Sequence, residues 1–411
     1  MMSASATFVV AGGGLAGAKA AEALRTEGFD GRIVVIGEEP HLPYERPPLS
    51  KDYLQGTSER DKIFVHDAAW YRDQEIDLRR GIAVTGIDRA ARRVSLSDGA
   101  AVTYDKLLLC TGAAPRRLTV PGHDRDTVRY LRTVDDSDLL RETLAGAGRI
   151  VVIGGGWIGL ETAAAARAAD VEVTVIEAQP QPLAGSLGPT MGAVFADLHR
   201  DHGVDLRLGA RLAEVTATGV RLEDGTHVDA DAVVAGIGAI PNTGLAAAAG
   251  LTVGNGIETT AGLRTSDPDI FAAGDVASAY HPHLGRHLRV EHWANALNQP
   301  AVAARGMLDR PAVYDRLPYF YTDQYDLGME YTGYVPPGLN DDVLVRGDVA
   351  GREFIAFWLH RHNGHDTVIA AMNVNVWDVT DRLGELIRSA APVDRDKLAD
   401  PATPLDQVVR S

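Results

Sequence analysis

Two rhythms of apolar and polar positions alternate along this chain. Thr7–Ala11 ("TFVVA") is a short apolar, β-branched run, the pattern of a strand buried on both faces. "AKAAEALRTEG" then spaces its apolar residues as a helix does and stops near Gly28. "RIVVIGEE" returns to a strand. From Arg149 the same order recurs, with strand "RIVVI", helix "LETAAAARAAD" and strand "VEVTVIEA". Apolar runs at Leu107–Cys110 and Ala232–Ala235 predict one more buried strand in each half, and both lead into Gly-Ala-X-Pro. A short strand is expected at Ile270–Ala273, with a helix-like segment after it. Two apolar runs flank Asn363-Gly364, the signature of a hairpin. "VTDRLGELIRSA" reads as a helix with Thr380 as its N-cap.

The repeat carries chemistry as well as structure. Gly12, Gly14 and Gly17 follow the first strand at G-x-G-x-x-G spacing, and Gly154, Gly156 and Gly159 follow its counterpart. In each triplet the first glycine permits the tight turn. The second lets backbone approach a pyrophosphate at the helix N-terminus, and the third lets helix and strand pack closely. Each second strand ends in an acid, Glu38 and Glu177, placed to accept from a ribose hydroxyl. A lone glycine triplet is weak evidence, but strand, glycines, helix, strand and acid occurring twice define two dinucleotide units. The expected class is α/β, with two Rossmann-like dinucleotide-binding domains and a C-terminal α+β domain.

Composition narrows the partners. The 411 residues carry a net charge of −16, which repels nucleic acid and anionic membrane. Cys110 is the single cysteine, so an intramolecular disulfide and a Cys-X-X-Cys redox pair are both impossible. No apolar run is long enough to span a bilayer. The opening "MMSASATFVVAGGG" has neither a basic nor an apolar leader region before the first strand, and the expectation is a cytoplasmic protein.

A third signature, "TSDPDIFAAGDVA", places Gly274 and Asp275 after a short strand. With it the chain resembles the two-dinucleotide flavoprotein reductases. "PYERPPLSKDYL", "VEHWANALNQ" and "LPYFYTDQYDLGMEYTG" narrow the resemblance to the ferredoxin reductases of bacterial oxygenase systems. The resemblance implies FAD on the first glycine motif, NADH on the second, and Asp275 bonded to the flavin ribityl chain. It implies an FAD-binding domain at 1–112 and 241–316, an NADH-binding domain at 113–240, and the C-terminal domain at 317–411. It also implies the reaction: hydride from NADH to flavin, then single electrons to an acidic iron–sulfur ferredoxin that feeds an oxygenase such as a cytochrome P450. One departure stands at Tyr321, where the family usually carries tryptophan.

The resemblance further puts Lys51 beside flavin N5 and Glu161 beside the nicotinamide, able to pair with the lysine; these two are the expected catalytic residues. Arg46 and Pro48 would line the FAD cleft, with Thr111, Gly112, Glu291, His292 and Trp293 also facing FAD and Gly238 facing NADH. Trp293 reads equally as a partly buried packing residue. Glu177 favours NADH over NADPH, because a carboxylate repels a 2′-phosphate and the following "AQPQP" supplies no arginine. His281, His283 and His287, and His360, His362 and His365, lack known zinc spacing and read as solvated loop histidines rather than a metal site. Arg305, Arg310 and Arg316 are candidates for a local basic patch that would admit an acidic partner. Two rival readings are an NADH oxidase or disulfide reductase, opposed by the cysteine count, and an apoptosis-inducing-factor-like protein, opposed for nucleic acid by the charge.

Overall fold

The structure, a computed structural model, describes residues 6–362 and 364–410. The chain divides into two compact units. The first gathers the chain up to Arg46, Glu59–Ala114 and Ala239–Arg316; the second gathers Pro47–Ser58, Pro115–Gly238 and the chain from Leu317.

The first unit is built on a parallel five-stranded sheet in the order Ile270–Ala272, Lys106–Leu109, Thr7–Ala11, Arg32–Gly37, Ile76–Arg80. Its central strands are apolar on both faces because both faces are covered. Phe8 and Val10 join the core under the helices Leu15–Thr26 and Trp293–Met307, while Val9 and Ala11 join Leu107, Leu109 and Ile270 on the other side. The first helix ends at Thr26, and Gly28 follows at φ +80°, as a helix stop requires.

The second unit has a parallel five-stranded sheet in the order Val128–Arg129, Ala232–Ala235, Arg149–Ile153, Glu172–Glu177, Asp205–Leu208, which matches the first except that its edge strand Val128–Arg129 precedes the others in the chain where Ile270–Ala272 follows them. It also holds an antiparallel five-stranded sheet, ordered Tyr319–Gln324, Leu327–Gly333, His365–Val374, Glu353–His362, Val343–Asp348. One face of this sheet packs on the helical segment Ala184–Asp201, which is kinked at Gly188, with Leu187, Met191 and Phe195 sharing a core with Met329, Phe354 and Trp358. The other face is covered by the helix Thr380–Ser389 through Leu383 and Ile387.

This partition differs from the expected domains in two places. Pro47–Ser58 belongs with the second unit: the Ser137 hydroxyl donates to the Leu49 carbonyl at 2.9 Å, the Tyr53 hydroxyl donates to Asp138 at 2.6 Å, and Leu54 enters the core of Leu140 and Ile150. The C-terminal sheet shares the core on one face with the second nucleotide fold and closes a core of its own on the other. The hairpin expected at Asn363-Gly364 is present as the paired strands Glu353–His362 and His365–Val374; Asn363 itself lies outside the described residues. Thr380 is the first helical residue and not the cap, because its hydroxyl donates to Glu330 at 2.7 Å.

Candidate active site

Two of the three glycines in each motif are required by their protein neighbours. Gly12 has φ +131°, and a Cβ there would stand 2.0 Å from the Cys110 carbonyl oxygen; one at Gly17 would stand 2.0 Å from the Gly12 carbonyl oxygen. The second motif behaves alike, with Gly154 at φ +102° and a Gly159 Cβ 2.1 Å from the Gly154 carbonyl oxygen. The middle glycines are different. A Cβ at Gly14 would meet no protein atom within 4 Å, and one at Gly156 only the Gly236 carbonyl oxygen at 3.9 Å. Both residues are N-caps without a side-chain cap. Packing does not demand glycine there, and the bare amide groups leave room for the close approach of a ligand. Both turns therefore fit a pyrophosphate, each at the positive end of a helix dipole.

Glu38 is exposed, just beyond the strand Arg32–Gly37. Glu177 ends its strand half-buried, accepting from the Gly155 amide at 2.6 Å and the Gln179 amide at 2.7 Å. A carboxylate accepts along about four directions, so two remain for ribose hydroxyls. Thr111 donates to the Asn242 carbonyl at 2.9 Å and Asn242 donates back at 2.8 Å, with Gly112 between them in sequence at φ +66°. Gly238, in the corresponding place of the second unit, has φ +96° and accepts from the Arg116 amide at 2.8 Å.

Gly274 lies against the start of the first helix, where a Cβ would be 3.2 Å from the Ala16 methyl, and its amide donates to the buried Gln299 at 2.8 Å. Asp275 follows in a single 3-10 turn, Gly274–Val276, that runs into the strand Ala277–His281. The helix-like segment expected there is absent; the next helix begins at Trp293. Burial alone would lower the Arg46 guanidinium, but Tyr44, Glu39 and Asp275 outweigh it and raise it. Arg46 donates to Glu39 at 2.9 Å. Trp293 is half-buried, its indole donating to Glu45 at 3.1 Å, so it is anchored by a polar bond and is not a core ring. His292 precedes it as the N-cap, and Glu291 pairs with Arg289 at 2.6 Å.

Lys51 and Glu161 meet within the second unit. Pro47–Ser50 forms a 3-10 turn, and the Pro48 carbonyl accepts from the Lys51 amide at 3.0 Å and the Tyr53 amide at 3.1 Å. This turn brings the Lys51 ammonium within 2.7 Å of Glu161 Oε1, with side chains 15% and 5% exposed. Glu161 sits on the buried face of the helix Trp157–Ala168. A carboxylate so buried needs its lone pairs filled. Thr322 donates to Oε1 at 2.6 Å and Ser50 donates to Oε2. The ammonium also lies 5.6 Å from the Tyr321 ring centroid, so an aromatic face is kept where tryptophan was expected. Sequence reasoning anticipated the ion pair but missed Ser50 and Thr322. The available signal was two polar residues, Thr322 and Gln324, on the inward face of a strand.

One further expectation is corrected, and a second gains a detail. His281 is not a solvated loop residue: it is buried at the end of a strand, its Nε2 donating to the Arg316 carbonyl at 2.9 Å while Nδ1 accepts from the Leu284 amide. Arg310 and Arg305 reach the same Glu27 carboxylate, at 2.6 and 3.7 Å, which offsets part of any basic patch.

Two nucleotide folds of one plan and a buried lysine–carboxylate pair define an oxidoreductase of the two-dinucleotide class. The chain belongs to the pyridine nucleotide-disulphide oxidoreductase family, whose model matches residues 6–299; a reductase C-terminal model matches 319–409. Membership implies a flavin and a nicotinamide nucleotide as the redox pair. The chain is 43% identical to the ferredoxin–NAD(+) reductase component of the anthranilate 1,2-dioxygenase system of Burkholderia cepacia, over 97% of this chain and 98% of that one. It is 37% identical to putidaredoxin reductase of Pseudomonas putida, over 99% and 98%. The crystal structure of the covalent putidaredoxin reductase–putidaredoxin complex matches with a TM-score of 0.92 at 36% identity, covering 98% of both chains.

Proposed function

We propose that this chain is an NADH-dependent ferredoxin reductase of an oxygenase system, holding FAD on its first glycine motif and NADH on its second. The observation that carries the choice of acceptor is the state of the one thiol. Cys110 is the single cysteine, so the chain has no dithiol through which to reduce a disulfide, and burial pushes this one thiol up to about 12. Likeness along the whole chain to reductase components of oxygenase systems supports an iron–sulfur ferredoxin as the partner, with a cytochrome P450 or other oxygenase beyond it.

Bound FAD supplies an acceptor for the nicotinamide hydride that releases electrons one at a time. The protein's part is binding and electrostatics. Gly12, Gly14 and Gly17 receive the FAD pyrophosphate and Glu38 its ribose, while Gly154, Gly156, Gly159 and Glu177 do the same for NADH. Asp275 takes the ribityl hydroxyls and lies within the field of Arg46. Pro48, Thr111, Gly112, Glu291, His292 and Trp293 line FAD, and Gly238 lines NADH. The Lys51 ammonium stabilises negative charge gained by the reduced ring, and Glu161 fixes the ammonium in place. In this reading 1–46, 59–112 and 241–316 serve FAD, 113–240 serve NADH, and 317–411 complete the enzyme, with Pro47–Ser58 carried on the second unit. The site of action is the cytoplasm, and no helix among the described residues is long and apolar enough to cross a membrane.

The test is NADH oxidation by the purified protein with a panel of iron–sulfur ferredoxins and cytochrome c. Rapid, ferredoxin-dependent reduction of cytochrome c is expected. NADH oxidation indifferent to every ferredoxin would refute the acceptor.

A further inference from the structure

Glu161 ends a polar thread inside the second unit. Its Oε1 accepts from Thr322 Oγ1 at 2.6 Å, and the Thr322 oxygen accepts from Gln324 Nε2 at 3.1 Å. The Gln324 carbonyl faces His199 Nε2 at 2.9 Å, and His199 Nδ1 faces the Tyr325 hydroxyl at 3.3 Å. Thr322, Gln324 and His199 are fully buried.

The donor inventory permits one sense along this thread. A carboxylate accepts, so the single Thr322 hydroxyl hydrogen goes to Glu161. Thr322 must then accept from an N–H, which fixes the Gln324 amide with nitrogen toward Thr322 and oxygen toward His199. That oxygen requires the His199 proton on Nε2, and Nδ1 is left to accept from Tyr325. Burial pushes the His199 imidazole down to about 4, so it is neutral at physiological pH. Reversing any link strands a buried polar atom. Tyr325 takes a left-handed φ of +56°, a conformation bulky residues seldom adopt, and its ring packs edge-on to His199 and stacks on His202 with centroids 3.8 Å apart.

We infer that Thr322, Gln324 and His199 are positioning residues for the Lys51–Glu161 pair, a one-way chain of hydrogen bonds that holds the carboxylate, and through it the ammonium, in a single orientation. This rests on the role proposed above for Lys51. The thread does not conduct protons, because the Gln324 amide in its middle has no titratable proton. It transmits polarity and geometry, each hydrogen bond strengthening the next by about 10–30%. The end that faces Glu161 therefore matters most.

The test uses the FAD-loaded enzyme and four variants: Thr322→Val, Gln324→Met, His199→Phe and His199→Gln. Nitrogen-15 NMR reads the histidine tautomer, spectroelectrochemistry reads the flavin midpoint potential, and stopped-flow reduction separates NADH affinity from the rate of hydride transfer. Wild-type His199 should appear as the single Nε2–H tautomer, and Gln324→Met should mix the two tautomers. Thr322→Val, which deletes a hydrogen bond to a charged group, should slow flavin reduction about tenfold at unchanged NADH affinity and lower the midpoint potential. Gln324→Met and His199→Phe should act in the same direction but less. His199→Gln, which restores an N–H toward Gln324, should recover most of the His199→Phe loss. A common loss of thermal stability with rate, potential and tautomer unchanged would overturn the inference and leave the thread purely structural. If wild type passes no electrons to any ferredoxin, the proposed function fails, while tautomer and potential still decide the thread.

Discussion

Replacing Glu177 tests the coenzyme assignment most directly. Its carboxylate accepts from two amides, Gly155 at 2.6 Å and Gln179 at 2.7 Å, and has capacity left for a ribose diol. A hydrogen bond to a charged group contributes about 1.5–3 kcal/mol, so losing the ribose contact in Glu177→Arg should lower kcat/KM for NADH on the order of tenfold to hundredfold. The introduced guanidinium should pair with a 2′-phosphate and raise kcat/KM for NADPH. A second effect is separable. The two amides lose their acceptor, which should cost about 1–3 kcal/mol of stability, moderated by the partial exposure of the site. Glu177→Gln distinguishes the two, because its amide oxygen still accepts from the glycine loop while the charge is gone. It should lose NADH efficiency a fewfold and gain nothing with NADPH. The assay is steady-state reduction of ferricyanide with both coenzymes, beside urea unfolding of each variant. A folded Glu177→Arg enzyme with the wild-type ratio of NADH to NADPH efficiency would refute the assignment.

Lys51→Met should slow flavin reduction by NADH in stopped flow while FAD remains bound; an unchanged rate would remove Lys51 from the chemistry. Arg310→Glu should raise KM for ferredoxin and leave NADH-driven reduction of small acceptors intact, and the ferredoxin rate should fall with salt as exposed charges are screened; an unchanged KM takes Arg310 off the docking surface. His199 has its pKa depressed from 6.5 to about 4 by burial. Between those values the unfolded chain binds a proton the native state does not, so stability should fall by about 3 kcal/mol as pH drops through the window, with no such contribution above it and no further loss below it. Urea titrations of wild type and His199→Gln at pH 7 and 4.5 measure that difference. Cys110, its thiol pushed up to about 12, should resist alkylation by iodoacetamide at pH 8 until urea unfolds the chain.

The two glycine motifs were legible because everything they need is local. Strand, turn, helix and acid lie within one stretch, and the steric demands on Gly12 and Gly17 come from residues the motif itself brings together, apart from the Cys110 carbonyl. The Lys51–Glu161 pair was legible only through resemblance. Nothing in "PPLSKDYL" announces that its turn hangs from Ser137 and Asp138, about 85 residues away in sequence. Thr322 and Gln324 escaped for a related reason. A polar residue on a strand declares its purpose only when the partner across the core is known, and the partners here are Glu161 and His199. The segment after Asp275 misled because its alanines suit a helix, while the strand pairing of Ala277–Ala279 with Ile257–Thr259 decides the outcome.

The placing of Ile270–Ala272 at the edge of the first parallel sheet, hydrogen-bonded to Lys106–Leu109, has a consequence on the ribosome. Leu109 is synthesised 161 residues before Ile270 (270 − 109). At about 5–20 residues per second the nascent chain waits roughly 8–32 s with that apolar strand lacking its neighbour. Throughout the wait, the unpaired edge of Leu107–Leu109 invites pairing with any other emerging strand. The second nucleotide fold is translated during this interval, so its sheet is fully made before the first sheet has its last strand. Slow translation or missing chaperones should therefore harm the first sheet more than the second, although it leaves the ribosome first.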